Sequence, residues 1–132
     1  MQQPLTAEHP NAIAVRQAEV AAGQGNIDAL RLVHAEDMVV HNSPFGGDAV
    51  GREALYQQNT VMFDKTAGSL KLEPYHVIAN DDTVLVTGKV TAQRLGQTLD
   101  QVVLEVWRME QGQCVEVWDY FSNQQAWDKF WQ

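Results

Sequence analysis

Four segments at residues 70–78, 83–93, 98–109 and 114–121 are rich in Val, Thr, Leu and Trp, and only short turns join them. Asn80-Asp81-Asp82, Leu95-Gly96-Gln97 and Glu110-Gln111-Gly112 supply the turn chemistry. Connections this short leave no room for a crossover helix, so the four strands are expected to form an antiparallel meander. The second and third of them are apolar on both faces: Val102, Leu104 and Val106 alternate with Val103 and Trp107. One face can meet helices. The other needs a cover, and a second copy of the chain is the simplest one.

The first half has a different period. Ile13, Gln17 and Val20 share a helical face, with Pro10 tolerable in the first turn and Gly23 as a stop. Asn26 is placed to cap a short helix carrying Ile27, Leu30 and Val33, and Asp28 in its first turn suits the helix dipole. Residues 38–42 read as a strand that ends in the breaker cluster Ser43-Pro44-Phe45-Gly46-Gly47-Asp48. A third helix is expected from about Gly51 to Thr66, with Leu55, Asn59, Met62 and Phe63 on one face and Tyr56 beside it. Ser122, followed three residues later by Gln125, resembles a capping box and opens a last helix bearing Trp127, Phe130 and Trp131. The order α-α-β-α-β-β-β-β-α predicts an α+β architecture, one strongly curved, mainly antiparallel sheet packed on segregated helices.

Composition narrows the function classes. A chain of 132 residues suits one domain, here expected over residues 1–132, and buries a core without disulfide staples. Nine Lys and Arg against 17 Asp and Glu leave a net charge of −8, which argues against nucleic acid and anionic lipid as partners. No apolar run approaches the ~20 residues of a membrane helix. The N-terminal residues lack the basic and apolar regions of a signal peptide, so a cytoplasmic location is expected. Cys114 stands alone, and His9, His34 and His76 show no ligand spacing, so no metal site is expected. Gly46-Gly47 lacks the strand–loop–helix context and the lysine of a phosphate loop, and no cofactor is expected.

The chemistry is sought in two acids. If Glu110-Gln111-Gly112 forms a three-residue hairpin, Met109 pairs with Gln113 and Val103 with Asp119. Glu105 and Asp119 are then diagonal neighbours on one face, roughly 5–8 Å apart between Cβ atoms. A two-residue loop instead sets Glu105 opposite Trp118 and breaks the pair. Val103, Trp107, Val117 and Phe121 alternate with the two acids, and such surroundings raise the pKa of at least one of them.

The motifs Gly25-Asn26-Ile27-Asp28-Ala29-Leu30, Asp37-Met38-Val39-Val40-His41 leading into Pro44, Gly51-Arg52-Glu53-Ala54-Leu55 and Val115-Glu116-Val117-Trp118-Asp119-Tyr120-Phe121 follow in a telling order. Their order and spacing resemble the SnoaL-like branch of the NTF2-like (cystatin-like) superfamily, over roughly residues 12–131. The resemblance implies a cone: the sheet wraps around the helices, leaves an apolar cavity open at one end, and dimerises through its outer face. It also implies roles. Asp119 sits where the polyketide cyclases of this group place an acid/base aspartate. Glu105 sits where those cyclases have a histidine and ketosteroid isomerases an oxyanion-stabilising aspartic acid. Asn42 and Ala18 stand where the isomerases have their base and a tyrosine, and Val103 stands where epoxide hydrolases have an arginine.

The expectation is therefore a cofactor-independent protein with a small apolar ligand, either an isomerase-, cyclase- or dehydratase-type enzyme or a non-catalytic binding or dimerisation module. Asp119 and Glu105 are the candidate catalytic residues. Candidate ligand contacts are Trp107, Val103, Val117 and Phe121 on the strands, Met62, Phe63 and Tyr56 on the third helix, and either His41 or Asn42 at the end of the first strand, since alternation turns only one of these two inward.

Overall fold

The computed structural model describes residues 3–132. In chain order it comprises α1 (Pro10–Gly23), a 3-10 helix (Ile27–Leu32), β1 (His34–His41), β2 (Ala49–Val50), α2 (Arg52–Lys65), β3 (Lys71–Ala79), β4 (Thr83–Arg94), β5 (Gln97–Glu110), β6 (Gln113–Phe121) and α3 (Gln124–Trp131). The short second helix is thus a 3-10 turn, and Asn26 makes no side-chain capping bond to it. The two-residue strand β2, which pairs with Val39 and Val40, had no periodic signal to reveal it.

The sheet has six strands in the order β2-β1-β6-β5-β4-β3. Strands β3 to β6 form the antiparallel meander, and β1 joins it parallel to β6. Alternation sends Val103, Glu105, Trp107 and Met109 of β5 inward, beside Val117, Asp119 and Phe121 of β6. The outer face carries Leu85, Val106, Trp118 and His41 in one row across β4, β5, β6 and β1. The ladder of β3 with β4 has a bulge between Pro74 and His76, the kind of irregularity that bends a strand. Gly88 lies at that bulge, and a Cβ there would sit 3.0 Å from the Glu73 carbonyl oxygen, so only glycine lets the strands approach this closely.

Helix α1 packs on a different face from the one its larger side chains suggest. Ala12, Val15, Ala18, Glu19 and Ala22 are buried, whereas Ile13, Gln17 and Val20 face solvent. Small side chains let the helix axis lie close to the sheet, and the bulkier stripe would hold it away. Helix α3 has only eight residues, too short to persist alone, and is held by its buried Trp127, Phe130 and Trp131. Its N-cap is Asn123, whose side chain accepts the Ala126 N–H at 3.0 Å. Ser122, the expected cap, instead accepts the Val102 N–H, stitching the end of β6 to β5.

Two packed clusters divide the interior. One gathers Val15, Met38, Val40, Trp107 and Val117, and the other Met62, Leu70, Val103, Trp127 and Phe130. The cavity described next is lined from both.

Candidate functional site

The hairpin between β5 and β6 closes with two residues rather than three. Gln111 and Gly112 have φ of 51° and 79°, and Glu110 pairs with Gln113. With an unbroken ladder this loop would set Glu105 opposite Trp118. A bulge intervenes. Met109 pairs with Cys114 but Arg108 pairs with Glu116, so Val115 is an extra residue on β6. The register moves by one, and Glu105 stands directly opposite Asp119. The expected diagonal pair is therefore a direct cross-strand pair, reached by a different turn.

Both acids line a cavity of about 120 Å³. Trp107, Val103, Val117 and Phe121 line it from the sheet and Met62 and Phe63 from α2. Two ionisable residues that the sequence analysis did not single out also line it, Glu19 from α1 and His34 from β1. Glu19 lies four residues after Val15 and three before Ala22, so reading the alanine face as the packed one would have placed it inside. His34 shares strand parity with Met38 and Val40, a signal hidden because the strand begins four residues earlier than expected.

Three of the proposed contacts are elsewhere. His41 is on the outer face, bonded through Nε2 to Glu116 at 2.5 Å and stacked on Trp118. Asn42 has φ of 56° and leaves the strand; its amide donates to the Asp119 carbonyl oxygen at 2.9 Å and to Gln124 at 2.8 Å. Neither faces the cavity, because the chain turns at Asn42 instead of continuing the alternation. Tyr56 is buried behind the lining, its hydroxyl 3.0 Å from His34 Nδ1.

Three carboxyls from three elements thus converge on one apolar space. Trp107 Nε1 donates to Glu105 Oε1 at 3.1 Å. Glu19 and Glu105 line the same space, and the titration of each influences the other. Asp119 is 8% exposed, and among the described residues its Oδ1 has no hydrogen-bond partner. Burial raises all three pKa values above the ordinary carboxylate range, and the neighbouring Glu105 charge raises those of Glu19 and Asp119 further. Hydrogen bonds from Glu19 and Trp107 restrain the rise at Glu105. Their protons belong to the group rather than to single residues. His34 behaves oppositely: burial, with the Arg52 charge adding to it, pushes its pKa down to about 3, so its ring is neutral.

The arrangement sets acids held above their ordinary pKa beside an unpartnered acceptor, in a mostly apolar space. Residues 15–117 match the SnoaL-like domain family.

The chain belongs to the SnoaL-like family.

Solved structures agree with that placement. Bal32a, from a soil-derived mobile gene cassette, is 30% identical to this SnoaL-like chain, with a TM-score of 0.85 over 92% of it and 96% of Bal32a. TerC, crystallised with polyporic acid, is 20% identical with a TM-score of 0.76, covering 92% of this chain and 97% of TerC. IdmH, a candidate polyketide cyclase of Streptomyces antibioticus, is 16% identical with a TM-score of 0.72, covering 87% and 94%. At these last two identities the likeness concerns the NTF2-like, cystatin-like fold alone. No curated protein matches the SnoaL-like chain in sequence. Among its described residues, no helix is long and apolar enough to cross a membrane.

Proposed function

We propose that this SnoaL-like protein catalyses proton transfer on a small apolar molecule bearing a carbonyl or hydroxyl group, without a cofactor, as isomerases, cyclases and dehydratases do. The observation that carries this reading is the unpartnered Asp119 oxygen, buried in an apolar cavity directly across from Glu105. Asp119 takes a proton from carbon or hydroxyl, and the protonated Glu105 donates a hydrogen bond to the developing oxyanion. Neutral His34, whose Nδ1 faces the Tyr56 hydroxyl, adds a fixed polar edge to the wall. The co-crystallisation of TerC with polyporic acid and the candidate cyclase role of IdmH support a small-molecule ligand for this cavity.

The test is hydrogen–deuterium exchange at the α-carbon of 2-indanone in D₂O, followed by proton NMR. Catalysed exchange is expected, reduced about 10²–10⁴-fold in Asp119→Asn. Binding of the ketone without exchange would favour the second reading, a non-catalytic ligand-binding module. That reading is supported by Asn42, an amide engaged with the backbone at the position where the related isomerases carry a base.

The same proposal includes a homodimer through the outer sheet face. Val102 and Tyr120 are 47% and 53% exposed there, and Leu104 and Val106 flank them. Covering each Leu- or Val-sized side chain contributes roughly 1.5–3 kcal/mol.

A further inference from the structure

We propose that the ligand of this cavity carries a basic nitrogen on its apolar skeleton, and that the protonated nitrogen seats against Glu19, Glu105 and Asp119. The inference rests on the cavity being a ligand site, and it names the class of ligand. A neutral carbonyl compound uses one acceptor and one donor, which Asp119 and Glu105 alone provide. Glu19 is a third carboxyl, supplied by a separate element, on a helix face otherwise made of Ala12, Val15, Ala18 and Ala22. Asp119 lines the cavity and is more than nine-tenths buried, and no described residue satisfies its buried Oδ1. An ammonium group has several N–H donors and can bond more than one of these carboxyls at once.

The chain supplies no cation of its own to this space. Among the described residues, no Lys or Arg lines the cavity. Arg52 donates to the backbone carbonyls of Arg31 and His34, and Arg108 is bound to Glu110 and Glu116 on the outer face. The other titratable groups near the carboxyls are His34, Tyr56 behind it, and the buried Cys114 thiol. Burial holds His34 neutral, with a pKa near 3, and raises those of Tyr56 and Cys114, so all three remain uncharged. Trp107, Phe121 and Trp127 line the same space and suit an apolar, aromatic skeleton. Seating an ammonium favours the ionised forms of Asp119 and Glu105, so binding releases protons to solvent and tightens as pH rises, until the amine itself deprotonates.

Benzylamine and benzyl alcohol, nearly equal in shape, are suitable probes, titrated calorimetrically at pH 6 and pH 8. Benzylamine is expected to bind at least about tenfold tighter at pH 8, and more tightly there than at pH 6. Glu19→Gln is expected to reduce that preference and Asp119→Asn to abolish it, with benzyl alcohol binding retained in both. Equal or tighter binding of benzyl alcohol to the wild type overturns the inference while leaving the cavity a ligand site. Unchanged benzylamine binding in both variants overturns it too, since the amine then sits elsewhere on an acidic surface. Binding of neither probe overturns the ligand-site reading as well.

Discussion

Glu105 and Asp119 are direct cross-strand partners on the inner face of the sheet, and the bulge at Val115 makes them so. Their side chains, with Glu19 above them, form an acidic group whose protons are held by burial and mutual repulsion.

Catalysed exchange of 2-indanone should follow the titration of that group. Asp119 works as an acceptor only when ionised, and its pKa lies above the ordinary carboxylate range. The rate is expected to rise with pH through a raised apparent pKa of the group. A profile already flat above about pH 5 would count against a buried, coupled base.

The same shifts set a stability trend. Above the ordinary glutamate value of 4.5, the folded chain keeps protons that the unfolded chain has lost. In that window folding binds protons, so this group's contribution to stability falls as pH rises toward the raised values. Glu19→Gln removes part of the load and is expected to stabilise the protein by about 1–3 kcal/mol at pH 8 and little at pH 5. Denaturant melts at the two pH values decide this, and equal effects at both would refute it.

His41 gives the opposite behaviour on the outer face. Its bond to Glu116, aided by Asp48, raises its pKa above 6.5. The stabilisation is fully present below 6.5 and lost as pH rises through the raised value. His41→Ala should therefore lower the melting temperature more at pH 6 than at pH 9, where only the packing on Trp118 is lost.

Tyr56→Phe removes the hydroxyl beside His34 Nδ1 and strands a buried polar nitrogen. A loss of about 1–3 kcal/mol is expected. Chemical denaturation measures it, and a change below about 0.5 kcal/mol would show that the pair contributes little.

Leu104 lies on the outer face between Thr87 and Tyr120. If that face joins two copies, Leu104→Asp should convert a dimer to a monomer in light scattering at micromolar concentration. A wild-type chain that is already monomeric there would end the dimer proposal.

The sequence by itself determined the meander, the three α-helices and the two acids of the strand pair. These follow from local physics: period-two alternation, turns too short for a crossover, and the breakers at Gly23 and around Pro44. The acid pair was legible as residues but not as a register, because a one-residue bulge costs little locally and leaves no compositional mark around Val115. Only the tertiary structure decided which face of α1 is buried. Close approach of the sheet favoured the alanines over Ile13 and Val20, and with them brought Glu19 inward. It likewise brought His34 to the cavity and sent His41 and Asn42 away, since the turn at Asn42 is set by bonds to Asp119 and Gln124 some 80 residues distant along the chain. Local pattern specifies which residues form each strand and helix; the cavity's charge depends on how those elements meet.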